Sequence, residues 1–356
     1  MRNEIRSLTT LRAVGAAMVF FYHLTEHLPS NSVLFIVQQG FVGVDIFFVL
    51  SGYILARRYF DEVQEHNFNF RRYMTRRVAR IYPLYFFILI LTALWLPTNI
   101  TNWTLTQGFF YNYISSGIPT AWTLTVEESF YLVLPLILLS LTATRNQWNW
   151  IIILGLWTAG FAIVGVLLVS FAATSGLQAQ AGFLGTPALN PIWALSYTIF
   201  GYVFDFTVGI FFALRAQRSN NLEVKSRQTI LSVIAILLCM GGVGVMHGLT
   251  SGRFFVYGLA LAVGFLIDSL ANAQNPYGRL LSWGPLPYLG RISYALYLIQ
   301  RTPLVTFMLG WNPLLFYLGT SIMSAALYEV IEKPAQQFIL KIATGRKVQL
   351  SLKPVK

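Results

Sequence analysis

Two ionisable residues at helical spacing, Arg12 and His23, could carry out chemistry together. They lie eleven positions apart in the first apolar run of the chain. At about 100° per residue, this spacing puts both side chains on nearly the same face of a helix, roughly 16 Å apart along its axis. Gly15, Ala16 and Ala17 lie between them and leave room beside the helix. The face could offer a cation and, deeper in, an imidazole base, although a snorkelling arginine and a helix-packing histidine would give the same pattern.

His23 also belongs to a zinc-binding pattern. With Glu26 and His27 it spells H-x-x-E-H, which is typical of one class of zinc protease. No histidine elsewhere is clearly placed as a third ligand, and the one cysteine, Cys239, lies within an apolar run. Because a zinc site needs three or four such ligands, we predict no metal site.

A carboxylate interrupts the next apolar segment, residues 39–58. Asp45 stands there among Gly40, Gly43 and Gly52, and these glycines permit close contact between helices. A buried carboxylate needs a partner, so we expect Asp45 to pair with Arg12 or His23 on the preceding helix. A carboxylate that only fixes the register of two helices would give the same pattern.

The densest basic stretch is RRYMTRRVARIYP, residues 71–83, and five of its first ten residues are arginine. Arg77 and Arg80, three positions apart, share one face of a helix. Positive charge beside a membrane span explains a few of these residues. Since guanidinium groups bind phosphate in bidentate fashion, the full cluster predicts a site for a cytosolic ligand with several phosphates.

Two adjacent glutamates, Glu127 and Glu128, stand just inside another apolar segment, which begins near Trp122. Adjacent residues face different directions on a helix, so at least one of the two must be buried among other helices. A carboxylate within a membrane span is a functional candidate, although pairing between helices would also retain it.

The elements that must position these residues are membrane-spanning helices. The 356 residues are 56% hydrophobic and 11% charged, with a mean hydropathy of +0.60, whereas soluble domains carry about 25% charged residues. Lipid must therefore be the solvent. A span needs roughly 20 apolar residues. The segments that approach this length are 8–28, 40–57, 81–97, 121–141, 150–172, 192–214, 229–247, 253–271, 288–308 and 313–332.

The distribution of charge predicts an orientation. The net charge of +12 could indicate a nucleic-acid partner, but nearly all Lys and Arg lie in short segments between apolar runs. If Met1 is cytoplasmic, almost every basic segment falls inside, as the positive-inside rule requires. We therefore predict an all-α, polytopic transmembrane helical bundle of about ten spans, with both termini cytoplasmic and no nucleic-acid partner.

Five segments in a fixed order resemble the membrane-bound acyltransferase-3 family, the bacterial O-acetylases of surface polysaccharides, antibiotics and nodulation factors. They are LTTLRAVGAAMVFFYHL (8–24), GFVGVDIFFVLSGYIL (40–55), RRVARIYPLYF (76–86), AWTLTVEESFYLVLPL (121–136), and GRISYALYL (290–298) with YEVIEKPA (328–335). The resemblance places the family's basic-residue-x10-histidine element on Arg12 and His23. It places the Arg-x-x-Arg element on Arg77 and Arg80.

The family's Trp-Ser-x-x-x-Glu element falls on Trp122 and Glu127, with Thr123 in place of serine, and its LSGY stretch includes Ser51 and Tyr53. Two departures stand near the C-terminal end of the match. Ile299 and Gln300 occupy places where the family often has Trp-His, and Glu329 stands where arginine is common. We expect these departures to affect acceptor choice or local structure. The resemblance implies a membrane acyltransferase domain at residues 1–335, followed by a basic cytoplasmic tail at 336–356.

The resemblance implies a multi-pass O-acyltransferase of the bacterial inner membrane. The co-substrate would be acyl-CoA, with acetyl-CoA the first expectation, and no metal would take part. The expected acceptor is a hydroxyl of an exopolysaccharide, O-antigen or lipid-linked saccharide at the periplasmic side, and polysaccharide-assembly proteins are candidate partners. The donor would contact Arg12, Arg77, Arg80, Ser51, Tyr53 and Trp122. His23 would act as general base, or as a nucleophile that forms an acyl-histidine, with Asp45 or Glu127 orienting or stabilising its ring.

Two other functions fit the same composition. A transporter or flippase of a saccharide would also have about ten spans and a polar interior, but we find no inverted repeat and no matching pair of interrupted helices in the sequence. A subunit of a sugar-assembly complex that has lost activity is the third hypothesis. The intact pair of Arg12 and His23 argues against it.

Overall fold

The apolar runs fold into α-helices. Backbone groups away from water must be hydrogen-bonded internally, and a helix achieves this within a single segment. A computed structural model describes residues 4–25, 28, 34–144, 146–185, 192–215, 222–245, 252–272, 274–308, 310 and 312–344. Across these residues there is no β-strand, only an isolated bridge between Phe110 and Phe183. The predicted all-α class is confirmed.

Long helices account for most of the described chain. They are α1 (Arg6–Thr25), α2 (Gly43–Gln64), α3 (Phe70–Thr92), α4 (Trp122–Thr142), α5 (Gln147–Thr174), α6 (Ile199–Arg215), α7 (Leu222–Val245), α8 (Gly252–Leu270), α9 (Leu286–Ile299), α10 (Pro313–Leu327) and α11 (Lys333–Thr344). Shorter helical pieces lie at Leu34–Val37, Gly40–Val42, Ile100–Trp103, Gln107–Phe109, Tyr111–Tyr113, Leu177–Ala181, Ile192–Tyr197, Pro276–Leu281 and Pro303–Met308. A π-helical turn, Tyr328–Glu332, joins α10 to α11.

Within the described ranges, five helical stretches are long and apolar enough to cross a membrane. They are Leu34–Gln64, Trp122–Thr142, Gln147–Thr174, Val224–Val245 and Pro313–Ala343, and Phe255–Leu270 is a shorter apolar helix. Their outer surfaces carry large apolar side chains: Leu156, Leu167 and Leu238 are 67%, 63% and 69% exposed. Lipid is the solvent that such a surface requires. The chain is therefore a multi-pass membrane protein.

Helix boundaries differ from the predicted segments in two places. The third segment, predicted to start at residue 81, is part of α3, which begins at Phe70 after Asn69 caps it by accepting from the backbone N–H of Arg72. The basic stretch is thus helical, because arginine is a good helix former. The ninth segment, predicted to run to residue 308, ends as an α-helix at Ile299. A short 3-10 helix, Pro303–Met308, follows, since proline cannot donate the next helical hydrogen bond.

The C-terminal region continues the last span. The predicted tail at 336–356 starts inside α11, which follows α10 through the π-helical turn. Residues 345–356 lie outside the described part of the chain.

Glycines bring α1 into backbone contact with two neighbours. A β-carbon at Gly43 of α2 would lie 2.4 Å from the carbonyl oxygen of Gly15, and one at Gly290 of α9 would lie 1.8 Å from that of Thr9. The Ser7 hydroxyl adds a hydrogen bond of 2.8 Å to the carbonyl oxygen of Leu270. Helix α1 is therefore fixed between α2, α8 and α9, at the centre of the helices that form the site.

Helices α2 and α6 pack equally closely. A β-carbon at Gly52 would lie 2.2 Å from the carbonyl oxygen of Phe206, and one at Gly209 would lie 2.1 Å from that of Val49. The contacts advance in the same order along both helices: Phe48 meets Tyr202, Gly52 meets Phe206, and the backbone nitrogen of Tyr53 would lie 2.7 Å from a β-carbon at Gly209. The two helices therefore run in the same direction.

We expect Gly52→Ala to lower the thermal midpoint of the detergent-purified protein. The added methyl group would force α2 away from α6, and overpacking of this kind costs about 1–3 kcal/mol. Gly155→Ala in α5 is the matched control, because nothing lies within 4 Å of a β-carbon there. That substitution should leave the midpoint unchanged or raise it, since alanine is the better helix former. Equal midpoints for the two variants would contradict the close contact.

Candidate active site

A cavity of about 60 Å³, lined by both charged and apolar side chains, lies among α1, α2, α3, α4 and α9. Its lining residues are Arg12, Val44, Phe47, Phe48, Ser51, Arg80, Ile81, Thr123, Leu124, Glu127, Ser293, Tyr294 and Tyr297. One water molecule needs a cavity of roughly 10–15 Å³, whereas a drug-sized ligand occupies roughly 300–1,000 Å³. The cavity therefore has room for a few small polar groups, and a whole coenzyme would require the helices to move apart.

Glu127 is the polar centre of this cavity. Its Oε1 accepts hydrogen bonds from the Ser51 hydroxyl at 2.8 Å and from the phenol of Tyr131, one helical turn further along α4. The adjacent Glu128 faces another way, and its Oε2 accepts from the Tyr82 phenol at 2.7 Å. Of the two predicted glutamates, Glu127 is thus the one that lines the cavity.

Two guanidinium groups face the same cavity. Arg12 of α1 and Arg80 of α3 both line it, and the charges of Arg80 and Glu127 both act on Arg12. Positions from three separate sequence motifs therefore meet here, as do Ser51 and Thr123. The structure brings together more of the predicted donor-site residues at this cavity than anywhere else in the described chain.

Arg77 lies beside this cluster without lining the cavity. Its guanidinium stacks over the ring of Tyr131, with 5.5 Å from Cζ to the ring centroid. Its Nε is buried and has no hydrogen-bond partner within the described residues. Arg77 and Arg80 therefore have different surroundings. The guanidinium of Arg80 lines the cavity, and that of Arg77 packs on Tyr131, which binds Glu127.

Glu332 is a second carboxylate of the cluster, and it was not among the residues predicted from the sequence. It ends the π-helical turn and is 7% exposed, and its Oε2 has no hydrogen-bond partner among the residues described. The charges of Arg80 and Arg12 act on it. The motif YEVIEKPA contains Glu332, but the sequence does not reveal the π-helical turn, and in a regular α-helix this glutamate would not be distinguished from its neighbours. π-helical turns are frequent at functional sites.

The room expected beside Gly15 on α1 is filled by a neighbouring helix. Gly15 packs against the carbonyl oxygen of Gly43 and the ring of Phe47, so the space beside it is occupied by α2. The open space instead runs along α2 from Ser51 to Val44, roughly 10 Å of helix. Tyr297 of α9 lines it, and its ring meets Phe47 edge-on.

His23 lies in the last turn of α1 and does not line the cavity. Its Nδ1 is 3.3 Å from Nη1 of Arg301, and its ring is 4.9 Å from that of Tyr22. Roughly 16 Å of helix separates it from Arg12, as predicted. No sequence pattern had assigned a role to Arg301.

Asp45 has a partner other than those predicted. Its carboxyl group faces that of Asp205 on α6, and the two residues are 3% and 2% exposed. Arg12 faces the cavity and His23 faces Arg301, so neither pairs with Asp45. The cause is the close packing of α2 on α6, which places two carboxyl groups at the same level of the interface.

Two other predicted residues lie at the edges of the site. The phenol of Tyr53 accepts a hydrogen bond of 3.2 Å from Arg57, and Tyr53 is fully buried. The indole of Trp122 packs edge-on against Tyr197, with 5.1 Å between ring centroids. Neither lines the cavity. Thr123, which stands in place of the family's serine, does so, and its hydroxyl donates to the carbonyl oxygen of Thr120 at 3.0 Å.

The zinc pattern remains untested. Glu26 and His27 lie outside the described residues. Within the part of the chain that the structure describes, no three His, Cys, Asp or Glu side chains come together as a metal site would require.

Comparisons with known proteins point to one enzyme family. A family model described as an acyltransferase domain matches residues 5–331. YrhL of Bacillus subtilis is 24% identical, with 93% of this chain and 54% of the relative covered. The O-acetyltransferase OatA of Staphylococcus aureus is 25% identical, with 93% and 57% covered. The peptidoglycan O-acetyltransferase OatA of Listeria monocytogenes is 22% identical, with 94% and 56% covered.

The chain spans about half the length of these curated relatives. No solved structure matches it.

Proposed function

This chain belongs to the acyltransferase-3 family, and from that premise we propose that it is an O-acyltransferase of the bacterial inner membrane. It transfers an acetyl group from cytosolic acetyl-CoA to a sugar hydroxyl at the periplasmic side. The observation that carries the proposal is the cavity in which Arg12, Arg80 and Glu127, from three family-like motifs, face one another. The names of the Bacillus subtilis and Listeria monocytogenes relatives mention peptidoglycan, which supports a surface saccharide as acceptor.

The proposed topology has ten spans, α1 to α10, with both termini in the cytoplasm. The parallel direction of α2 and α6 supports it, because three intervening spans return the chain to the same direction. Basic residues also gather where these helices end: Arg57 and Arg58 lie in the last part of α2, and Arg215 ends α6. These ends would face the cytoplasm under the positive-inside rule.

The donor would approach α3 from its cytoplasmic end. Arg71 and Arg72, in the first turn, are exposed, and Arg77 and Arg80 lie progressively deeper. We propose that the phosphates of the coenzyme bind along this row, since guanidinium groups match phosphate geometry. The pantetheine arm would then follow the space between Ser51 and Val44, with Glu127 and Arg12 at its entrance.

The chemistry would take place at His23. As general base it would accept the proton of the acceptor hydroxyl while the hydroxyl oxygen attacks the carbonyl carbon of the thioester. The length of helix between Arg12 and His23 is one that an extended pantetheine arm can bridge. The base would thus stand at the acceptor side and the charged cavity at the donor side.

Binding of acetyl-CoA to the purified protein tests the donor site. We expect saturable binding that Arg77→Ala/Arg80→Ala weakens by at least tenfold, because two cationic partners are lost. Arg71→Ala/Arg72→Ala is the matched control: it removes the same charge from the same helix at exposed positions, and we expect a smaller loss. Free CoA should compete with acetyl-CoA. If folded protein bound neither ligand, the transporter hypothesis would take precedence over the enzyme.

A further inference from the structure

Arg301 contacts the residue proposed as base. It follows α9 directly, and its Nη1 lies 3.3 Å from Nδ1 of His23, within reach of a hydrogen bond. The arginine is exposed, while His23 is partly buried at the end of α1. This contact joins two elements that are far apart in sequence, at the end of the bundle away from Arg57 and Arg58.

The neighbours of Arg301 hold it in place. Thr302 is fully buried, and its hydroxyl donates to the carbonyl oxygen of Ile299 at 2.8 Å. Gln300 is 7% exposed, and its amide donates to the carbonyl oxygen of Tyr297 at 3.1 Å. Two anchored side chains therefore flank the exposed one. The backbone position of Arg301 is set by the structure around it, so its contact with His23 does not depend on a loosely held loop.

The geometry fixes the role of each imidazole nitrogen. A guanidinium group has five N–H donors and no acceptor, so Nδ1 of His23 must be the acceptor in this contact. A neutral ring with an unprotonated Nδ1 carries its proton on Nε2. Nδ1 is therefore the nitrogen whose lone pair can accept a proton. The acceptor hydroxyl, which gives this proton, must approach Nδ1 at the position that Arg301 occupies.

We propose that Arg301 is a further catalytic residue of the transfer site, an inference that rests on the proposed function. In the free protein it holds Nδ1 of His23. When the acceptor binds, its hydroxyl takes that place and gives its proton to Nδ1 as its oxygen bonds to the thioester carbon. The displaced guanidinium donates to the carbonyl oxygen, which becomes negatively charged. The C–S bond then breaks, the ester forms, and the CoA thiolate takes the proton back from His23.

Stabilisation of a developing oxyanion is a large effect: loss of one donor costs on the order of 10²–10³-fold in kcat. We expect Arg301→Ala to lose kcat by this factor while the Kd for acetyl-CoA stays within about twofold. The rate is measured as release of CoA thiol from acetyl-CoA, with water as acceptor. Arg301→Lys should retain part of the rate, because the ammonium group supplies a charge without the planar fork.

Adding guanidinium ion at millimolar concentration distinguishes a catalytic role of Arg301 from a structural one, because free guanidinium can replace a missing donor but cannot repair a misfolded site. It should restore part of the rate to Arg301→Ala and leave the wild type unchanged. Arg279→Ala is the matched control, since Arg279 is also exposed and its Nη2 donates only to the backbone oxygen of Gln274 at 3.1 Å. We expect full activity there and no rescue.

The outcomes separate the two claims. If the wild type released thiol and Arg301→Ala did so at the same rate, the role of Arg301 would be wrong and the proposed function would stand. A slow Arg301→Ala variant that guanidinium did not restore, and that also lost acetyl-CoA binding, would assign Arg301 to structure and overturn its catalytic role. If folded wild-type protein neither bound acetyl-CoA nor released thiol, the proposed function would fall, and the role of Arg301 with it.

Discussion

Replacing His23 by alanine is expected to reduce acyl transfer by about 10²–10⁴-fold, the range that a positioned general base contributes. The imidazole lies at the end of α1, beyond the cavity that would hold the donor, so donor binding should persist. The rate is measured as release of thiol from acetyl-CoA, and the Kd for acetyl-CoA is measured on the same preparation. Loss of rate without loss of binding is the expected result.

His66→Asn is the matched control for this variant. His66 is exposed in the turn after α2, with φ of 56°, a conformation that asparagine adopts more readily than alanine. We expect wild-type rates from it. A rate for His23→Ala equal to that of His66→Asn would remove His23 from the mechanism, and an acyl-histidine intermediate with it.

The second large effect is expected from Glu127→Gln. The amide keeps the size of the side chain but removes the charge that balances Arg12 and Arg80 across the cavity. It also leaves the Ser51 and Tyr131 hydroxyls with a weaker acceptor, since hydrogen bonds to a carboxylate are about twice as strong. We expect kcat/KM for acetyl-CoA to fall on the order of 10²-fold, as when a preorganised electrostatic group is lost.

Glu128→Gln offers a close comparison, one residue away on the same helix. Glu128 binds the phenol of Tyr82 and does not line the cavity. Its replacement should change kcat/KM only a few-fold. The assignment of the cavity as donor site would be contradicted if the two variants lost activity equally, or if Glu128→Gln lost more.

Much of the fold could be predicted because hydropathy reports directly on which segments leave water. The segments of α4 and α10 were predicted to within one residue at their starts, where the sequence changes abruptly from polar to apolar. The start of α3 was not, since its first ten residues are mainly polar and resemble a loop in hydropathy. Arginine favours the helix there, and hydropathy does not measure that preference.

The sequence allowed prediction of individual site residues within each motif, but not of how the motifs come together. Arg12, Arg80 and Glu127 were identified because ionisable residues in apolar runs are costly and therefore conspicuous. Their meeting at one cavity depends on how α1, α3 and α4 pack, which spacing within one segment does not reveal. Asp45 shows the limit most clearly: its partner, Asp205, lies on a helix that no sequence pattern placed beside α2.

The small volume of the cavity has a consequence for the membrane itself. The whole cavity, which the rings of Phe47, Phe48, Tyr294 and Tyr297 help to line, measures about 60 Å³, too little for a continuous column of water across the bundle. Each elementary charge that crosses a membrane under 100 mV releases about 2.3 kcal/mol, so an open path would dissipate the cell's ion gradient. Under the proposed function an acetyl group passes from one face to the other, so the protein would have to be electrically tight, and a cavity this small would meet that requirement.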